Sequence, residues 1–245
     1  MIQKFAWCLL PLFALFAAPA RALDEDTAGY VESNLLAVLY HELGHALIDL
    51  MGLPVFGQEE DAADVLNVIM IHELFEEEVA VQIAYDTAFG FLGDADQGEA
   101  VFWDVHGPDL QRYYTLVCLF YGGNPDARDD VAQELGLTDA RAETCEEEFY
   151  LASDSWGLVL DELGDMPRAD TPGYLDLRRD NPLDALTADV IETEMAALQE
   201  DFGLPSELVV RVEPCGTANA FYDPSDASIT ICTEFSEYLA AAAPR

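Results

Sequence analysis

Two histidines four residues apart enclose an acid in His41-Glu42-Leu43-Gly44-His45. On a helix, residues i and i+4 share a face, so both imidazoles can reach one metal ion. Glu42 lies about 100° round the helix from His41, where its carboxylate can take a proton from water activated beside that ion. The flanks are uncharged: Val38, Leu39 and Tyr40 before the motif, Ala46 and Leu47 after it. The five-residue pattern alone arises by chance in about one chain in a hundred of this length. Its plain alternative is a pair of buried histidines satisfied by neighbouring groups.

A catalytic zinc takes three protein ligands and keeps one position open. His72 and His106 are distant in sequence, but Gln58-Glu59-Glu60-Asp61-Ala62-Ala63-Asp64 is near. Glu60 and Asp64 share a helix face and can divide the work. Glu60 would bind Zn2+ while Asp64 accepts the N–H of a ligand histidine and sets its tautomer. The short loop from Leu53 to Gln58 permits the antiparallel helix pair this requires. Glu59 is the rival ligand, since one residue's shift in the helix cap exchanges it with Glu60. The acids also suit a helix N-terminus.

A zinc hydrolase commonly needs a second electrophile for the developing oxyanion. His106, just before a helix beginning near Pro108, is the candidate catalytic group. Arg112, Tyr113 and Tyr114 are further candidates, with Arg112 also suited to pairing with a carboxylate. His72-Glu73 has Glu76 where a second histidine would complete the motif, and it reads as helix surface. Asp94 to Glu99 does not complete a calcium loop.

The elements that must carry these groups are mostly helical. Periodicity predicts a helix over 27–51, capped by Thr27 and ended by Gly52, and one continuous helix over 59–89. A loop is expected over 91–99, then helices over 99–105, 108–121, 126–135, 139–163 and 182–202, with a loop between 167 and 182. Leu208–Val212 and Ser228–Cys232 are β-like runs separated by the turn residues Asp223-Pro224-Ser225-Asp226. The fold class expected is mainly α with a small C-terminal β-hairpin over about 208–233, an α+β arrangement.

The 245 residues suffice for one well-buried domain. Acids outnumber bases 48 to 10, a net charge of −38. So negative a surface repels phosphates and anionic lipid, which argues against nucleic-acid and membrane-surface partners. Residues 1–22 read as an export signal: Lys4, an apolar stretch from Phe5 to Ala18, and the small-x-small site Ala20-Arg21-Ala22. The chain is then periplasmic or secreted, with its domain over 23–245. Cys118, Cys145, Cys215 and Cys232 remain after cleavage, and in an oxidising compartment they suggest two disulfides. Cys118–Cys145 and Cys215–Cys232 are favoured because each joins neighbouring elements.

His41 to Asp49 (HELGHALID), Glu59 to Asp64, Cys215-Gly216, Asn219 to Pro224 and Ile229 to Cys232 together resemble an uncharacterised bacterial family of metallopeptidases. The similarity takes in Gln111-Arg112-Tyr113, Cys118, Tyr121-Gly122 and Cys145 to Trp156. It implies a zinc-peptidase fold acting on a peptide or protein substrate. The Glu-x-x-x-Asp arrangement is also similar to that of gluzincin peptidases, which implies Glu60 as third ligand, although the gap from His45 is short for many of them. In several gluzincin-like enzymes an Asn-Ala-Phe segment enters a strand bordering the cleft. Asn219 to Tyr222 would do the same here, with Arg112 and Tyr113 as further cleft candidates; alternatively Phe221 and Tyr222 pack in the core. A zinc amidase acting on cell-wall peptides and an inactive acidic periplasmic binding protein are the rival functions.

Overall fold

The computed structural model describes residues 23–95, 100, 102–168 and 175–244. The export segment expected over 1–22 lies outside the described residues. Among the described residues, no helix is long and apolar enough to cross a membrane.

The first helix, α1 (Glu25–Met51), is the spine. Asp24, rather than Thr27, caps it: the Asp24 carboxylate accepts the Thr27 N–H at 3.0 Å. Gly52 ends it at φ 64°, its N–H turned back onto the Asp49 and Ile48 carbonyls. Val31, Leu35, Leu39, Tyr40 and Ala46 are all fully buried. A helix apolar around so much of its circumference must be surrounded, and α1 indeed packs against α2 (Glu59–Leu74), α3 (Glu77–Ala95), α7 (Pro182–Asp201) and α8 (Thr233–Ala242). The remaining helices are α4 (Asp109–Gly123), α5 (Pro125–Glu134) and α6 (Asp139–Asp165).

The single helix expected over 59–89 is two. Phe75 is extended at φ −112°, ψ 144°, and its ring meets Tyr40 edge-on at 6.3 Å. The Glu76 carbonyl takes up the Val79 and Ala80 N–H groups. Glu77 then pairs with the buried Arg128, Nε to Oε1 at 2.7 Å and Nη2 to Oε2 at 2.9 Å. Arg128 also donates to the Phe120 carbonyl at 2.7 Å, tying α3, α4 and α5 together. Tertiary contacts override the local helical preference. The loop expected from 91 is still helix as far as Ala95. The described part of 99–105 is a turn, not a helix: Asp104 accepts the Val105 N–H at 2.7 Å, the local side-chain bond that competes with helix formation.

The sheet has the order β1-β2-β4-β3, from β1 (Leu175–Leu177), β2 (Val209–Glu213), β3 (Ala220–Asp223) and β4 (Ser228–Cys232). The hairpin is therefore β3–β4, closed by Asp223-Pro224-Ser225-Asp226, whereas β2 runs parallel to β4. The expectation that 208–212 pairs with 228–232 as a hairpin fails because that turn sits directly between β3 and β4. β1, in a stretch expected to be loop, is three residues added to the free edge of β2. The architecture is mainly helical with a small mixed sheet, the α+β class expected. Both disulfides form as favoured. Cys118–Cys145 joins α4 to α6 and Cys215–Cys232 joins the segment after β2 to β4.

The helix pair α1–α2 touches backbone to backbone. A Cβ on Gly44 would lie 2.9 Å from the Ala63 Cα, whereas one on Gly29 would meet nothing within 4 Å among the described residues. Gly29→Ala should stabilise the protein by about 0.5–1 kcal/mol through helix propensity. Gly44→Ala should lose about 1–3 kcal/mol to overpacking, outweighing that gain. Urea midpoints measure both; an upward shift in both variants would mean that α2 yields freely at this crossing.

Candidate metal centre

On α1, His41 and His45 stand one above the other, facing the first turns of α2. The helices are antiparallel, so residues later on α1 meet residues earlier on α2: His45 meets Glu59, and His41 meets Asp64. Three atoms converge between them. His41 Nε2 to His45 Nε2 is 3.2 Å, His41 Nε2 to Glu60 Oε2 is 3.2 Å, and His45 Nε2 to Glu60 Oε2 is 3.3 Å. Ligands at 2.0–2.1 Å from a tetrahedral zinc stand about 3.3 Å apart, so the triangle has the edges of one face of such a site. The Glu60 Oε2 atom is buried and, although close to these nitrogens, makes no directed hydrogen bond with them. A cation shared by all three atoms would satisfy it. Among the described residues this is the only group of three or more His, Cys, Asp or Glu side chains able to hold one ion.

Each imidazole has a carboxylate behind it. Asp64 Oδ1 is 2.9 Å from His41 Nδ1, close but not aligned as a directed hydrogen bond, and Glu59 Oε1 is hydrogen-bonded to His45 Nδ1 at 2.8 Å. Such carboxylates orient ligand histidines and raise their basicity. Glu60 is thus the acid that enters the triangle, with Glu59 backing His45. Arg112 in turn grips Asp64 with two bonds, Nε to Oδ2 at 2.7 Å and Nη2 to Oδ1 at 2.8 Å. Burial would raise the Asp64 pKa, but Arg112 and His41 outweigh it and hold the group at about 2. Burial would likewise lower His41, yet the Asp64 and Glu60 contacts raise it to about 9. Burial opposes the charge on Glu60 too, and His106, His41 and His45 hold it well below the usual carboxylate range.

The triangle opens on a cleft of about 1300 Å³. Glu42 lines it, and burial pushes its carboxyl pKa up against the charges of His41 and His45. His106 lies on the turn before α4, its side chain 45% exposed and its Nε2 2.8 Å from Glu60 Oε2. Three of the chain's four histidines therefore meet at one carboxylate. The fourth, His72, packs edge-on against Phe149 at 4.8 Å, half-buried rather than on the surface. The far wall is β3, an edge strand. Asn219, Phe221 and Tyr222 line the cleft there, and the Tyr222 hydroxyl donates to Asp49 Oδ2 at 2.8 Å, holding the strand to α1. Tyr113, expected at the cleft, is buried instead, because its hydroxyl donates to the Leu135 carbonyl at 2.6 Å. Arg112 lines the cleft, but its guanidinium is engaged by Asp64.

The sequence reasoning overlooked Gly44 and Ala63, which set the helix spacing, and Asn34, Asn67 and Thr87, which extend the cleft along α1, α2 and α3. Asn34 and Asn67 stand seven residues from His41 and Glu60. That spacing of polar groups on otherwise apolar helices was the available signal.

A family model with the description "Putative metallopeptidase" matches residues 11–160 and 182–243. No curated protein and no solved structure matches.

With His41 raised to about 9, the metal-free protein carries a proton on that imidazole at neutral pH. A metal ion must displace it, so affinity falls by about tenfold per pH unit below 9 for this one group. Calorimetric titration with zinc at pH 7, in buffers of different ionisation enthalpy, should detect about one proton released from this site. Zinc binding that leaves the buffer unprotonated would contradict the linkage.

Proposed function

The chain belongs to that metallopeptidase family, and on this premise we propose that it is a zinc-dependent hydrolase of the HExxH type, gluzincin-like in its ligands, that cleaves peptide bonds. The observation carrying this reading is the near-equilateral triangle of His41 Nε2, His45 Nε2 and Glu60 Oε2, with edges of 3.2, 3.2 and 3.3 Å. These three atoms would hold the ion. Zinc, when bound, lowers the pKa of a water molecule and polarises the scissile carbonyl.

The protein's own groups do the rest. Glu42, next to His41 in sequence and lining the same cleft, accepts a proton from the attacking water and returns it to the leaving amine. Asp64 and Glu59 fix the histidine tautomers, and Arg112 fixes Asp64. His106, on its exposed turn, swings from Glu60 to donate to the oxyanion. An extended substrate pairs with the edge strand β3 through backbone hydrogen bonds, competing with Glu42 for the Tyr222 N–H. Export to the periplasm or medium accords with the two disulfides.

Glu42→Gln should lower kcat by about a thousandfold while zinc content stays near one per chain. His45→Ala should remove the zinc as well as the activity. Elemental analysis beside hydrolysis of an unfolded protein reads both, and unchanged hydrolysis in Glu42→Gln would sink the mechanism.

A further inference from the structure

The cleft does not end at the triangle. Its inner arm is lined by Asn34 of α1, Asn67 of α2 and Thr87 of α3, which are only 7, 3 and 5% exposed. Asn34 precedes His41 by two turns, and Asn67 follows Glu60 by two turns. Because the helices are antiparallel, both are displaced in the same direction, about 10 Å along the helix axes. The hydrogen bonds of Asn34 and Thr87 use their donors and leave acceptors uncommitted. Asn34 Nδ2 donates to the Tyr30 carbonyl at 2.8 Å and the Asp86 carbonyl at 3.5 Å. Thr87 Oγ1 donates to the Ile83 carbonyl at 2.8 Å. Asn67 Oδ1 is buried with no hydrogen-bond partner, a costly state that a ligand donor would relieve. Along the cleft as a whole carboxylates outnumber bases: Glu42, Asp49, Glu59, Glu60, Asp64 and Asp104 line it beside Arg112, itself engaged by Asp64, and the imidazoles of His41, His45 and His106.

We propose that this inner arm is a subsite for a basic side chain of the substrate, an ammonium or guanidinium group, and that Asn67 determines that specificity. The assignment rests on the peptidase reading. A long Lys or Arg side chain reaches from the triangle to Asn67. A substrate's terminal amine shares the same chemistry but, attached beside the scissile bond, falls short of it.

Binding to zinc-loaded Glu42→Gln protein tests this without requiring turnover. Calorimetry would use peptides identical except for Lys, Arg, norleucine or Glu at one position flanking the scissile bond, each with a free or acetylated N-terminus. Lys and Arg peptides should bind about tenfold tighter than the norleucine peptide, with or without acetylation. Asn67→Leu and Thr87→Val, each added to that background, should reduce this ratio several-fold while zinc content and norleucine affinity hold. Equal affinity for Lys and norleucine overturns the proposal, as does a preference that needs the free amine. So does a Lys preference that survives both variants and vanishes at high ionic strength, since the chain's overall charge would then explain it. A Lys preference in binding, with no cleavage of the same peptide by the wild-type zinc protein, would instead overturn the peptidase reading and leave the subsite standing.

Discussion

Everything at this centre depends on how closely α1 approaches α2. Helices ordinarily pack about 8–10 Å apart, the spacing set by the side chains between them. Here the contact is Gly44 against Ala63, with a glycine where even a methyl group would press on the opposing backbone. That proximity lets the glutamate on one helix reach between two imidazoles on the other. It also explains why the residues of the candidate centre flank the contact: His41 and His45 lie on either side of Gly44, and Glu60 and Asp64 on either side of Ala63. Small residues at the crossing and polar residues around it are two requirements of one geometry.

Electrostatics then decide what can occupy the space. Glu59, Glu60 and Asp64 crowd the start of α2, where the helix dipole alone could neutralise only part of their charge. Arg112 answers Asp64, leaving Glu59 and Glu60 to the imidazoles. Without a metal, protons must supply the positive charge, and this is the physical origin of the raised His41. A divalent cation would compete for the same field and satisfy the triangle from the inside. In a chain with 48 acidic residues, these carboxylates are distinguished by where they converge rather than by their number.

The parts legible in the sequence were those with a period. His41, Glu42 and His45 were readable because i, i+4 spacing determines a face regardless of what surrounds it. The α1–α2 hairpin followed from Gly52, Pro54 and the acidic start at Glu59. Both cysteine pairings were readable from their proximity along the chain. What resisted reading was set by partners distant in sequence. The break at Phe75 depends on Tyr40 and Arg128, neither of which is marked locally. β2 and β3 exchanged roles because pairing within a sheet is selected by the turn chemistry at Asp223 to Asp226 rather than by strand propensity. Tyr113 and Arg112 are adjacent in sequence on a helix, so they point about 100° apart, and only one of them can face the cleft.

The C-terminal hairpin shows why α1 cannot be considered alone. β3 is an edge strand, the kind of element that slips or pairs promiscuously unless held. Several restraints act on it, the Tyr222 N–H contact with Glu42 of α1 among them. The Tyr222 hydroxyl bonds to Asp49, one turn beyond His45 on the same α1 face. The Asn219 carbonyl accepts the Cys232 N–H at 3.1 Å. The Cys215–Cys232 disulfide, with Glu234 accepting the Cys215 and Gly216 N–H groups at 3.0 and 2.7 Å, anchors the chain just before the strand. The wall opposite the triangle is thereby referenced to the same helix that carries the histidines. A displacement of α1 moves both sides of the cleft together, so the separation between them is preserved through motions that would open a cleft built between independent elements.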